Sequence, residues 1–183
     1  QRVLPGVEFT VSFKTNEGSK PIHVVTIFDD RDEEAVKRIS TAIPFKDGKP
    51  NYDDGNAFTE DTYWGIIRDI GLDIVAIAHQ KNSPGSARTR TNDANSVGED
   101  LYNKFLFVEY FEAYEYKNRR NELFNRSYAY THDQQEQLRF ITGSDCHVWS
   151  VYPNYDTQPN QADRNYAPTY LKCLPTFKGL AMA

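Results

Sequence analysis

Apolar residues along this chain fall into short runs separated by polar turns, and the spacing within the runs alternates between two periods. Residues 2–13 are apolar and β-branched around Pro5 and Gly6, which predicts one or two strands meeting at a bend. The turn Asn16-Glu17-Gly18-Ser19 leads into a second strand over residues 22–28. Apolar residues occupy both faces of that run, as in a strand covered on both sides. From 32 to 43 the period becomes helical. Val36, Ile39 and Ile43 share one face, Asp30 or Asp32 can cap the start, and Pro44 ends the helix. A polar loop over 46–56 precedes a second helix, capped by Thr59 and ended by Gly71, with Tyr63, Trp64, Ile67 and Ile70 on its buried face. Residues 73–78 form another short apolar strand that stops at His79.

The second half is more polar. Residues 80–98 make a long Ser/Asn/Gly/Arg-rich loop, of a length that in compact domains serves function or movement. A short helix is expected over 99–105, a strand over 108–116 and a helix over 119–130. Asp133 with Glu136 resembles an N-terminal cap pairing. Leu138, Phe140 and Ile141 form a strand that runs into the Gly143-Ser144 turn. A Pro-rich loop over about 152–168, a final strand over 170–174 and a helix or exit from Phe177 complete the chain. Short apolar strands alternating with helices predict an α/β fold, a parallel sheet or barrel with helices outside. In such folds chemistry gathers at the C-terminal strand ends, where His79 and the pair Asp145 and His147 fall.

The 183 residues suffice for one domain with a real core, and an aromatic content of 14% argues against disorder. A formal charge of -5 does not favour general nucleic-acid binding, although a local basic patch can still provide it. No apolar run reaches membrane-spanning length, and no signal-peptide pattern opens the chain. Cys146 and Cys173 make neither a disulfide framework nor a zinc-type C-x-x-C, so the expected compartment is a reducing cytoplasm. The opening at Gln1 reads as a strand already in progress, which leads us to expect a piece of a longer polypeptide.

The strongest chemical signal is Gly143-Ser144-Asp145-Cys146-His147. Two-residue spacing in extended backbone puts Asp145 and His147 on one face, and a carboxylate with an imidazole at a strand end can hold a divalent metal. A capping Asp beside an unrelated His is the plainer alternative. Cys146 faces the other way and reads as packing. His79 is either a hydrogen-bonded strand-end histidine or a ligand, and the loop after it offers Lys81, Arg88 and Arg90 to an anionic substrate. For Arg88 and Arg90 an ordinary solvated role is the first reading. Glu8 stands in apolar surroundings, where a carboxylate is costly unless paired, protonated or metal-bound; a strand-edge Glu in water is the alternative. His23 shares a face with Val25 and Ile27 and points inward, as a core histidine or as a ligand. His132 reads as a surface residue. Of Glu109, Glu112 and Glu115, one can approach the site from a neighbouring strand, while most are expected to face solvent.

In order, Pro5-Gly6-Val7-Glu8, His23-Val24-Val25, Ala78-His79 and Gly143-Ser144-Asp145-Cys146-His147 resemble the PHP (polymerase and histidinol phosphatase) family. The tail Thr169-Tyr170-Leu171-Lys172-Cys173-Leu174-Pro175-Thr176-Phe177-Lys178-Gly179-Leu180 looks like the end of the PHP segment in bacterial proteins where it precedes an AAA or SMC-like ATPase. The resemblance implies a distorted, TIM-like (β/α) barrel of parallel strands, a cluster of zinc, manganese or iron ions, and hydrolysis of a phosphate ester or phosphodiester. Nucleic acids and nucleotides are among the substrates it allows. By position it makes Glu8 a bridging carboxylate, His23 and His79 ligands of one metal, and Asp145 and His147 ligands of the others. It also implies an ATPase domain in the full-length protein. This chain departs from the family in having no His-x-His, the element that opens the first strand. An incomplete barrel and cluster are therefore expected here, lacking the first strand or strands. Two other readings fit the same residues: a non-catalytic PHP-like docking or regulatory module beside an ATPase, and an amidohydrolase-type metal hydrolase.

Overall fold

The computed structural model describes residues 3–15, 18–46, 49–50, 57–79, 111–115, 139–142 and 169–183. Among these, the α/β architecture is a six-stranded mixed sheet with helices packed against it. The strands are β1 (Gly6–Thr15), β2 (Gly18–Phe28), β5 (Phe58–Thr59), β6 (Ile74–His79), β7 (Ala113–Glu115) and β8 (Phe140–Ile141), in the order β5-β1-β2-β6-β7-β8. The sheet does not close on itself within the described residues. A separate two-stranded ladder, β3 (Phe45–Lys46) with β4 (Lys49–Pro50), occupies part of the expected polar loop. No helix among the described residues is long and apolar enough to cross a membrane.

The expected all-parallel order is corrected at its start. β1 pairs antiparallel with β2, and β2 antiparallel with β6; only β6, β7 and β8, and β1 with β5, run parallel. The cause is local. Thr15 pairs with Gly18, so only two residues join β1 to β2, and a connection that short must reverse the chain. One strand rather than two follows Pro5: the Pro5 carbonyl accepts from Phe28 N–H at 2.9 Å, and β1 starts at Gly6.

Alternation sorts the strands into two faces. Phe9, Val11 and Phe13 of β1, Ile22, Val24 and Phe28 of β2, and Ala76 and Ala78 of β6 point to one of them. That face is covered by α1 (Glu33–Ala42) and α2 (Glu60–Ile70) through Ala35, Ile39, Tyr63, Ile66, Ile67 and Ile70. Asp32 caps α1, accepting from the backbone of Glu34 and Ala35; Ile43 then turns extended, as a residue before proline must. Thr59 caps α2 by accepting from Thr62 N–H, and Gly71 closes it at φ 70°, a left-handed conformation that glycine adopts without strain. Arg38 of α1 donates to the Ile70 carbonyl of α2, satisfying a helix-end acceptor. The second face carries Val25, Ile27, Val75, Ile77, Ala113 and Ile141, against which α3 (Phe177–Ala181) sets Phe177 and Leu180. Residues 170–174, expected as a strand, are irregular here, with Tyr170 and Leu174 exposed. The elements expected over 99–105, 119–130 and 133–136 lie outside the described residues.

Within the first core, Tyr63 shares a 2.9 Å hydrogen bond with Thr26. Burial pushes its phenol up to about 12. The unfolded chain ionises Tyr63 near ~10, so stability falls as pH rises from there toward the folded value. The slope from this one group reaches at most about 1.4 kcal/mol per pH unit. Denaturant titrations between pH 9 and 12 are expected to show a steeper alkaline loss in the native chain than in Tyr63→Phe. Parallel curves would remove Tyr63 as the cause.

Candidate metal centre

The second face holds the candidate site, at the end of the sheet where β6 and β7 finish. Strand register assembles it. β2 and β6 are aligned by Val24 opposite Ala78, which brings His23 level with His79. β6 and β7 place His79 directly against Glu115. On β1, Glu8 lies opposite Val25, one step along the same face from His23. Four neighbouring strands thus bring Glu8, His23, His79 and Glu115 to one face, beside the apolar Val25, Ile27, Val75 and Ile77.

The contacts are close. Glu8 Oε1 lies 3.0 Å from His23 Nδ1, and Glu8 Oε2 lies 3.4 Å from His79 Nε2. His79 Nε2 is also 2.7 Å from Glu115 Oε2. The two imidazoles meet edge to face, with centroids 5.3 Å apart. Depth varies across the row: the His79 side chain is 3% exposed and Glu115 11%, whereas Glu8 is 48% exposed and opens the site to solvent. The hydrogen bonds to His23 and then His79 hold the Glu8 carboxyl well below the usual carboxylate range, against the opposing effect of its partial burial.

Glu8, His23 and His79 form a group that could hold a metal ion, with ligand atoms all within 4.8 Å of one another. The donor set fits. Two donors at ~2.1 Å from one tetrahedral cation lie about 3.4 Å apart, and the carboxylate–imidazole separations are 3.0 and 3.4 Å. Two imidazoles and a carboxylate suit zinc, manganese or iron.

The structure therefore brings together Glu8, His23 and His79, three of the residues singled out from sequence. Asp145, His147, Lys81 and Arg88 lie outside the described residues. Ile141 pairs with Glu115, so β8 ends at the same end of the sheet as the site. Of Glu109, Glu112 and Glu115, Glu115 is the one that, among the described residues, approaches the site from a neighbouring strand. It is buried beside His79, while Glu112 is exposed and accepts a 2.6 Å hydrogen bond from Ala76 N–H. The available signal was its place at the end of a strand that pairs in parallel with the His79 strand. No family model, curated protein or solved structure matches the chain.

Proposed function

We propose that this chain carries the site of a PHP-type metal-dependent phosphoesterase, its open sheet forming part of a distorted barrel. The convergence of Glu8, His23 and His79 from three strands is the observation that carries the reading. In this assignment Glu8, His23 and His79 would hold a zinc, manganese or iron ion, Glu8 as the bridging carboxylate, and Asp145 and His147 would supply further ligands. A divalent cation bound there supplies water acidified toward ~7 and positive charge for a phosphoryl oxygen. The protein's own part is to fix that group against the apolar face and to leave Glu8 open to the entering ester. Lys81 and Arg88 add positive charge for the phosphoryl group. The overall reaction is hydrolysis: water adds to phosphorus, the ester P–O bond breaks, and an alcohol leaves.

The full chain, stripped with chelator and reloaded, is expected to retain tight zinc, manganese or iron by elemental analysis. Reloaded, it is expected to hydrolyse bis-p-nitrophenyl phosphate but not p-nitroacetanilide. The reverse preference would favour an amidohydrolase-type reaction. A second reading is a non-catalytic module beside an ATPase. It is favoured by the direct contacts of Glu8 with His23 and His79, which hold that carboxylate without a cation. No retained metal, and unfolding that chelator leaves unchanged, would decide for the module.

A further inference from the structure

We propose that Glu115 is a fourth protein ligand of the cation at this site, making the set two imidazoles and two carboxylates; the inference rests on the metal-centre reading above. The geometry turns on one nitrogen. His79 Nε2 faces Glu8 Oε2 at 3.4 Å and Glu115 Oε2 at 2.7 Å. A cation between Glu8 and His79 takes the lone pair of that same Nε2, which then carries no proton for Glu115. A carboxylate that only orients a metal-bound histidine must grip the other ring nitrogen. Glu115 does not: it contacts the nitrogen turned toward Glu8, and so lies inside the coordination sphere.

Burial and charge lead to the same assignment. Glu115 is buried and sits on a strand end beside Ala113 and Ile141. An ionised carboxylate there is costly unless a positive charge offsets it. With both ionised, Glu8 and Glu115 would bring two negative charges to one imidazole nitrogen, which one divalent cation balances. Two nitrogen and two oxygen donors select a first-row divalent ion over calcium or magnesium, whose sites are built from oxygen.

The test compares the native chain with Glu115→Gln, which keeps the shape and an acceptor oxygen but loses the charge. Zinc affinity is read by chelator competition and the ligand field by the visible spectrum of the cobalt(II) form. Circular dichroism and metal-free unfolding serve as controls. Glu115→Gln is expected to fold, to bind zinc at least ~10-fold more weakly and to give an altered cobalt spectrum. If it does not fold, Glu115→Asp takes its place, with the same expectation. Unchanged affinity and an unchanged spectrum in the variant, with tight binding in the native chain, would overturn the role of Glu115 and leave the Glu8, His23 and His79 site standing. A native chain that binds neither ion would overturn both.

Discussion

Replacing His79 with alanine is expected to lower the affinity of the chain for zinc or manganese by at least ~100-fold and to reduce phosphodiester hydrolysis by the complete protein to background. The effect is large because His79 is the hub of the site. It contacts Glu8 and Glu115 through one nitrogen and stacks edge to face on His23. Without it, one imidazole remains for two carboxylates. Because the side chain is buried, alanine also leaves a cavity, so His79→Gln should accompany it. Glutamine preserves much of the volume while weakening the ligand. Both variants are expected to lose binding in chelator competition, and glutamine to stay closer to native stability. Native-like affinity in either folded variant would take His79 out of the site.

Phe9→Ala is expected to destabilise the chain by about 3–5 kcal/mol. Phe9 is fully buried, one residue from Glu8 but on the opposite face. Its ring meets Phe58 at 6.0 Å and Tyr63 at 5.4 Å, both edge to face, so the truncation removes contacts from β5 and α2 as well as area. Against a total stability of roughly 5–15 kcal/mol for a domain, a loss of this size shifts the thermal midpoint by roughly 10 °C. Urea unfolding followed by circular dichroism measures it. A loss below about 1 kcal/mol would mean that the α1/α2 face is not the main core.

What could be read from sequence was what short-range physics decides. Asp32, Thr59 and Gly71 mark helix ends because caps act within a few residues. The period of Ile39, Tyr63, Ile67 and Ile70 gives their buried faces directly, although Ile66 was missed because the stripe is wider than the pattern suggested. His79 stood out as the polar end of an apolar run. Strand direction was misread because pairing is long-range, even though the short Thr15-to-Gly18 connection carried the decisive hint. Which of Glu109, Glu112 and Glu115 approaches the site is undecided for the same reason: nothing within 108–116 tells them apart until β7 is laid beside β6. The apolar residues of 170–174 look like a strand, but no neighbouring strand pairs with them among the described residues.

The alternation along β1 ties two properties of the protein to a single phase. Phe9, Val11 and Phe13 enter the core only when Glu8 looks the other way, toward His23. An insertion or deletion of one residue inside this strand would exchange the faces, burying a carboxylate among aromatic rings and turning phenylalanines toward the histidines. A change of one residue in length, unless a bulge absorbs it, therefore alters both properties at once. Any relative that folds the same way carries the acidic group on the histidine side or has replaced it outright.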